Sequence, residues 1–127
     1  LRAGAHSDYG TLTILMQNSG SDGLEIQNRN GDWLPVTGEA PDLIVNIGDL
    51  MARWTNNRWV SSVHRVVVPD DAYSRQQRRL SLAYFHPPDW DAEIRCIPSC
   101  LPDEEQPIYP PIRSGRYLME KFHSTVL

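Results

Sequence analysis

The chain has 127 residues, of which 40% are hydrophobic and 22% charged, and its net charge is −4. These values predict a single soluble globular domain. The basic residues are scattered, which argues against nucleic-acid binding, and no apolar run approaches the ~20 residues that cross a bilayer. Two cysteines, Cys96 and Cys100, are too few for a disulfide scaffold or a zinc ribbon. We expect free thiols in a reducing cytoplasm, while a disulfide between the two stays open.

Six short segments are rich in β-forming residues and end at turn residues, which predicts strands. They cover residues 12–16, 24–27, 33–36, 43–47, 63–68 and 79–85. The Asn30-Gly31 step between the second and third segments predicts a tight hairpin. We interpret Asn46 and Asp49 as strand-end and turn formers. This pattern is typical of an antiparallel sandwich or barrel.

Helical spacing is confined to the C-terminal part of the chain. Residues 114–122 are predicted to form a short helix, with Ser114 as N-cap and Leu118, Met119 and Phe122 on one side. Residues 97–111 contain five prolines and are predicted to form an ordered loop that wraps the surface.

Three residues form a candidate metal site. His6 and Asp8 are two positions apart, so in a strand their side chains point to the same face. His64 lies in the fifth predicted strand, which antiparallel pairing can bring beside them. Two imidazoles and one carboxylate on one side of a metal leave three adjacent positions open, as in the facial triad of non-haem Fe(II) oxygenases. Each residue taken alone is more commonly structural than a ligand.

Arg79 and Ser81 share one face of the sixth predicted strand, and Phe85 continues that face. An arginine on an apolar strand requires an anionic partner, and its planar fork fits a carboxylate. The pair could clamp the far end of a dicarboxylate that chelates the metal, although an internal salt bridge is the alternative. Phe85 is a candidate substrate contact, with barrel core as the plainer interpretation. We consider His86 either a rim residue near the site or a surface residue.

The chain resembles the C-terminal catalytic half of the isopenicillin N synthase-like 2-oxoglutarate/Fe(II)-dependent oxygenases. The resemblance covers roughly residues 4–88 and rests on seven stretches in the family's order: HSDYGTLT (6–13), GLEIQ (23–27), GDWLPV (31–36), VNIGDL (45–50), WTN (54–56), HRV (64–66) and RLSLAYF (79–85). It implies a double-stranded β-helix, that is, a jelly-roll or cupin-like barrel. It also implies that residues 1–127 are the C-terminal part of the catalytic domain, incomplete at its N-terminal side; the short C-terminal helix follows from the spacing given above.

The same resemblance implies the site and its chemistry. His6, Asp8 and His64 match the iron ligands, and Arg79 and Ser81 match the pair that binds the distal carboxylate of 2-oxoglutarate. The implied cofactors and co-substrates are Fe(II), 2-oxoglutarate and O2, with ascorbate as an optional reductant. The implied activity couples oxidative decarboxylation of 2-oxoglutarate to hydroxylation, desaturation or cyclisation of a small molecule.

The partners implied are a small-molecule substrate and an N-terminal part of the same polypeptide, with no nucleic acid and no membrane. We therefore expect the 127 residues alone to fold poorly. The interval between His64 and Arg79 is longer than expected for the family and is predicted to form an enlarged hairpin loop.

The sequence leaves open three alternatives to a 2-oxoglutarate-dependent oxygenase. One is an oxidase of the same family that does not use 2-oxoglutarate, in which Arg79 and Ser81 hold a substrate carboxylate. Another is a jelly-roll binding module without catalysis. The third is a structural zinc site, which would require a fourth ligand.

Overall fold

The computed structural model describes residues 3–18, 23–38, 41–68 and 80–125. Its strands are β1 (Ala3–His6), β2 (Leu12–Gln17), β3 (Leu24–Gln27), β4 (Trp33–Pro35), β5 (Leu43–Ile47), β6 (His64–Val66), β7 (Ser81–His86), β8 (Glu93–Ile94) and β9 (Ile112–Arg113). Its helices are α1 (Asp49–Trp54) and α2 (Ser114–Thr125), and Pro98–Cys100 forms a 3-10 turn. Neither α1 nor α2 has the length and apolarity that crossing a bilayer requires.

Two antiparallel sheets account for most of these strands. One has the order β1-β6-β3-β4 and the other the order β5-β2-β7, while β8 and β9 form a separate pair. The inner faces of the two sheets line a cavity of about 400 Å³, with Leu24 and Ile26 on one side and Thr13 and Leu15 on the other. The predicted antiparallel all-β architecture with one C-terminal helix is confirmed.

Side-chain alternation decides what each strand contributes to the cavity. Ser81, Ala83 and Phe85 of β7 line the cavity, whereas Leu82 and Tyr84 face outward and are 63% and 59% exposed. The outer face of the β5-β2-β7 sheet is consequently apolar and exposed. We call this surface the outer apolar face, and it comprises Met16, Leu43, Leu82 and Tyr84.

The predicted hairpin is present between β3 and β4. The side-chain oxygen of Asn28 accepts hydrogen bonds from the backbone N–H groups of Asn30 and Asp32, and Gly31 has a φ of 90°. Only glycine adopts that conformation without strain. The turn chemistry read from the sequence therefore determines the register of these two strands.

The strand boundaries differ from the prediction at two places. The fifth predicted strand, 63–68, is shortened to His64–Val66, and the sixth begins at Ser81. Arg79 lies outside the described residues, as does the predicted loop insertion that precedes it.

Helix α1 was not predicted, and the interpretation of Asp49 as a turn former was wrong because Asp49 is its first residue. The first N–H groups of a helix have no intrahelical acceptor. Here the N–H of Asp49 donates to the carbonyl of Asp8 at 2.7 Å, and that of Leu50 to the carbonyl of Gly10 at 3.0 Å. A six-residue helix is marginal by itself. Tertiary contacts, rather than local propensity, therefore form it.

Leu50 of α1 is fully buried and packs with Ile94 and Tyr117, which brings the C-terminal elements onto α1. The proline-rich segment, predicted to be an ordered surface loop, contacts the C-terminal end of α1 and the residues after it. The N–H of Ile97 donates to the carbonyl of Trp54, and the N–H of Ile108 donates to the side chain of Asn56. Cys96 and Cys100, at the start of this segment, are free cysteines.

Candidate metal centre

His6, Asp8 and His64 are brought together by strand pairing. His6 ends β1, His64 begins β6, and the two are register partners in the antiparallel pair. Asp8 follows β1 by two residues, and its Oδ1 lies 3.9 Å from His6 Nε2 and 3.7 Å from His64 Nε2. The three ligand atoms all lie within 4.8 Å of one another.

The histidine tautomers are determined by backbone carbonyls. His6 Nδ1 lies 2.7 Å from the carbonyl oxygen of Gly4, and His64 Nδ1 lies 2.9 Å from that of Ser62. A carbonyl oxygen can only accept, so each Nδ1 carries the hydrogen and donates it. In the neutral rings, both Nε2 lone pairs are therefore free and directed at the space beside Asp8. Such support orients metal-binding histidines.

The two oxygens of Asp8 have different surroundings. Oδ2 accepts hydrogen bonds from the Thr13 hydroxyl at 2.5 Å and from the Asn46 amide at 2.8 Å, whereas Oδ1 faces the two histidines. Asp8 is only 7% exposed and Thr13 only 4%. The buried carboxylate is thus held in one orientation, with a single oxygen presented to the ligand cluster.

A second polar cluster contacts residues 7–11, the loop between β1 and β2 that contains Asp8 and that we call the ligand loop. The Asp49 carboxylate accepts hydrogen bonds from Ser61, at 2.6 Å, and from Tyr117, at 3.0 Å, and forms an ion pair with Lys121 at 2.9 Å. Burial alone would raise the pKa of Asp49, but the hydrogen bonds from Ser61, Lys121 and Ser7 outweigh it and hold that pKa below its usual range. We call this cluster the Asp49 node. It joins α1, α2, the residues before β6 and the loop between His6 and Asp8.

The donor set fits a ferrous ion. Imidazole suits iron, and one carboxylate with two imidazoles leaves open positions for exchangeable ligands. The cluster found among the described residues has three members, so it lacks the fourth ligand that a structural zinc site requires.

The structure places the other predicted site residues as follows. Ser81 lines the cavity that contains His6, Asp8 and His64, and Phe85 lies on the same wall. Phe85 is 60% exposed, so it is not part of a buried core. His86 binds Thr11 through its Nδ1 and its carbonyl oxygen and lies outside the three-residue cluster. Two residues, Arg79 and Ser81, were predicted to clamp a dicarboxylate. Of these, only Ser81 is among the described residues.

Comparison with known proteins identifies the family. Residues 1–88 match the family model described as the 2OG-Fe(II) oxygenase superfamily. The chain belongs to the 2OG-Fe(II) oxygenase superfamily. Its cofactors are accordingly those expected above, Fe(II) and 2-oxoglutarate with O2 as co-substrate, and the expected jelly-roll fold is confirmed.

Two relatives of this chain come from a fungus and a bacterium. It is 39% identical over 123 residues to the 2-oxoglutarate-Fe(II) type oxidoreductase ppzD of Metarhizium rileyi, covering 94% of the chain and 35% of that relative. It is 36% identical over 121 residues to the validamycin A dioxygenase of Streptomyces hygroscopicus subsp. limoneus, covering 95% and 32%. The chain thus spans about a third of the length of the curated relatives it matches.

A crystal structure of a full-length Neurospora crassa protein in complex with alpha-KG and thymine is similar along nearly the whole oxygenase chain. Its TM-score is 0.87 at 39% identity, and the match covers 98% of this chain and 38% of the other.

Two supporting residues of the oxygenase site were not identified from the sequence. Thr13 shares the inward face of β2 with Leu15, and a polar residue at an inward position of the strand was the available signal. Asn46 was interpreted only as a strand-end residue, because its contact with Asp8 depends on the pairing of β2 with β5.

Proposed function

We propose that residues 1–127 are the C-terminal part of the catalytic domain of a non-haem Fe(II)- and 2-oxoglutarate-dependent oxygenase. The reaction couples oxidative decarboxylation of 2-oxoglutarate to hydroxylation, desaturation or cyclisation of a small organic molecule. The observation that supports this best is the convergence of His6, Asp8 and His64 in the cavity lined by Ser81.

His6, Asp8 and His64 would hold the iron through Nε2, Oδ1 and Nε2. Bound Fe(II) supplies the redox chemistry that links 2-oxoglutarate and O2 to the substrate. The protein contributes geometry: Thr13 and Asn46 keep Asp8 Oδ2 occupied, so that Oδ1 stays directed at the cation. This arrangement needs little reorganisation when the metal binds.

Ser81 and Arg79 would bind the carboxylate of 2-oxoglutarate that is remote from the metal. The Ser81 hydroxyl can donate one hydrogen bond, and a guanidinium can donate two parallel ones. The other walls of the cavity include Leu15, Leu24 and Ile26, which are apolar and exclude water from the bound co-substrate.

Two free thiols are consistent with a reducing compartment such as the cytoplasm.

The test is turnover of 2-oxoglutarate by anaerobically Fe(II)-loaded protein after exposure to O2, with succinate measured as product. We expect succinate formation by the wild-type protein and its loss in His64→Ala, together with loss of Fe(II) binding. His86→Ala is the matched control, because it removes a histidine that is outside the cluster, and it should retain turnover. Retained decarboxylation by His64→Ala would overturn the assignment. Substrate oxidation without succinate would indicate an oxidase of the same family instead.

A further inference from the structure

A second cavity, of about 460 Å³, lies on the other side of the ligand loop. It shares His6, Asp8 and Phe85 with the cavity between the sheets, and its far wall consists of Leu118 and Phe122 of α2. The two cavities therefore meet at the candidate metal centre. Only the first contains Ser81, the residue assigned to the co-substrate.

The chemistry of the second cavity is apolar. Rings and aliphatic groups on its wall come from Tyr9, Phe85, Pro87, Leu118 and Phe122. Asp8 is the only carboxylate among the described lining residues; its Oδ2 accepts hydrogen bonds from Thr13 and Asn46, and its Oδ1 faces the two histidines. A neutral, apolar group can enter such a space without leaving a charge unpaired.

The wall formed by α2 is held in a fixed position relative to the metal ligands. Tyr117 and Lys121 are one helical turn apart and both bind Asp49, whose N–H donates to the carbonyl of Asp8. Leu118 and Phe122 are the next residues along the helix and are also one turn apart, so they face the adjacent side. The Asp49 node thus aligns the apolar stripe of α2 with the ligand loop.

Phe122 is not needed to fill a buried core. Its side chain is 50% exposed, and its ring and that of Tyr9 form an edge-to-face contact with a centroid distance of 5.9 Å and an interplanar angle of 74°. A half-exposed aromatic ring beside a cavity is available to contact a ligand.

We propose that the second cavity receives the apolar part of the primary substrate, and that Leu118 and Phe122 determine the size of the group it accepts. The proposal rests on the proposed function, because it places the substrate opposite the 2-oxoglutarate cavity at the same metal centre. It assigns the C-terminal helix a role in specificity rather than in folding alone.

The test uses the full-length protein that contains residues 1–127, loaded with Mn(II) and 2-oxoglutarate, which removes turnover from the readout. Indole serves as a neutral apolar probe, and its proton resonances are observed by NMR. Mn(II) broadens only the resonances of molecules held close to it, and Zn(II)-loaded protein supplies the diamagnetic reference. We expect Mn(II)-dependent broadening of indole by the wild-type protein.

Leu118→Ala and Phe122→Ala should each weaken indole binding about 5- to 10-fold, from the apolar contact area lost. Phe122→Trp keeps an aromatic ring at the exposed position and fills the cavity, so it should also reduce indole binding while preserving the fold. Met119→Ala is the matched control: Met119 is 41% exposed, is next to Leu118 and lines neither cavity. It should leave indole binding unchanged.

Two results separate this proposal from the proposed function. If Mn(II) and 2-oxoglutarate fail to bind, both are overturned. If they bind but indole shows no metal-dependent broadening, or if the three cavity variants bind indole like Met119→Ala, only the role of α2 is overturned.

Discussion

The Asn46 amide donates a 2.8 Å hydrogen bond to Asp8 Oδ2, although the two residues are 38 positions apart in the chain. Thr13 donates to the same oxygen and is the register partner of Asn46 across the β2–β5 pair. One pair of neighbouring positions on two strands therefore sets the orientation of the only carboxylate in the ligand cluster. The orientation of the candidate metal ligand is thus a property of the sheet.

Replacing Thr13 with valine tests this relationship, because the shape is kept and the hydroxyl is lost. We expect metal affinity to fall about 10- to 100-fold, the usual effect of removing an outer partner of a ligand. The measurement is a calorimetric titration with Mn(II) or anaerobic Fe(II). Thr11→Val is the control, since Thr11 is as deeply buried but binds His86. Equal metal affinity of the two variants would contradict the role of Thr13.

Ser81→Ala tests the predicted carboxylate clamp. We expect 2-oxoglutarate to bind about 10- to 150-fold more weakly, because one hydrogen bond to a charged group contributes about 1.5–3 kcal/mol, while Mn(II) affinity stays unchanged. Leu82→Ala changes the adjacent residue of β7, which faces outward, and should leave 2-oxoglutarate binding as in the wild type. Succinate yield per turnover, measured beside affinity, reports whether 2-oxoglutarate is the molecule held there. An unchanged affinity in Ser81→Ala would remove Ser81 from the clamp.

Local sequence signals predicted the features that depend on a few adjacent residues. The turn at Asn28–Asp32 and the inward face of β7 follow from residue type and alternation alone. The resemblance to known oxygenases pointed to the three candidate ligands before any geometry was known.

Features that depend on distant contacts were missed. The strand Ala3–His6 contains glycine and alanine and has little intrinsic β preference, so its pairing with β6 is what forms it. Helix α1 depends likewise on carbonyl acceptors from the ligand loop. Leu118 and Phe122 were recognised as one side of a helix, but the space they face is created by the loop after β1.

Replacing Gly48 with alanine tests the packing of α1 on the ligand loop. A Cβ at this position would overlap the carbonyl oxygen of Gly10, which is backbone and cannot move aside cheaply. We expect Gly48→Ala to lower the free energy of unfolding by about 1–3 kcal/mol, as overpacking commonly does, and to weaken metal binding because the loop containing Asp8 shifts. Gly4→Ala is the control, since a methyl group there would meet nothing within 4 Å. Urea denaturation measures the free energy of unfolding of both variants. An unchanged free energy of unfolding in Gly48→Ala would contradict the close approach of Gly48 to the Gly10 carbonyl.

Because Tyr117 binds Asp49, its deprotonation makes the stability of the folded chain fall as pH rises in the alkaline range. Burial, together with the charge of Asp49, raises the pKa of Tyr117 from 10.0 to about 12. Because the folded chain holds this proton more tightly, the unfolded chain releases it first as pH rises. The stabilisation is complete below about pH 10 and is lost as pH rises towards about 12. We expect the urea midpoint of the wild type to fall more steeply over this range than that of Tyr117→Phe.

Lys121 is present in both proteins of that comparison. Burial would lower the pKa of Lys121, but its hydrogen bond and ion pair with Asp49 raise it. Tyr117 also raises the pKa of Lys121, so the difference between the two curves reports on the tyrosine together with its coupling to the lysine. Tyr84→Phe changes an exposed tyrosine on the outer apolar face and should retain the steep wild-type curve. Parallel curves of urea midpoint against pH for the wild type and Tyr117→Phe would contradict the role given to the raised pKa of Tyr117.

The outer apolar face determines how we expect the 127-residue chain to associate in solution when it is expressed by itself. Leu43 and Leu82, at 58% and 63% exposure, lie on the two strands that flank β2, and exposed apolar patches of this kind drive association. We expect this chain to self-associate and the double variant Leu43→Lys/Leu82→Lys to be more soluble, because the added charges oppose contact between outer apolar faces. Neither position lines the cavity, so 2-oxoglutarate affinity should not change in the soluble fraction. Light scattering and size-exclusion chromatography report the association. A monodisperse, cooperatively melting wild-type chain would contradict the prediction.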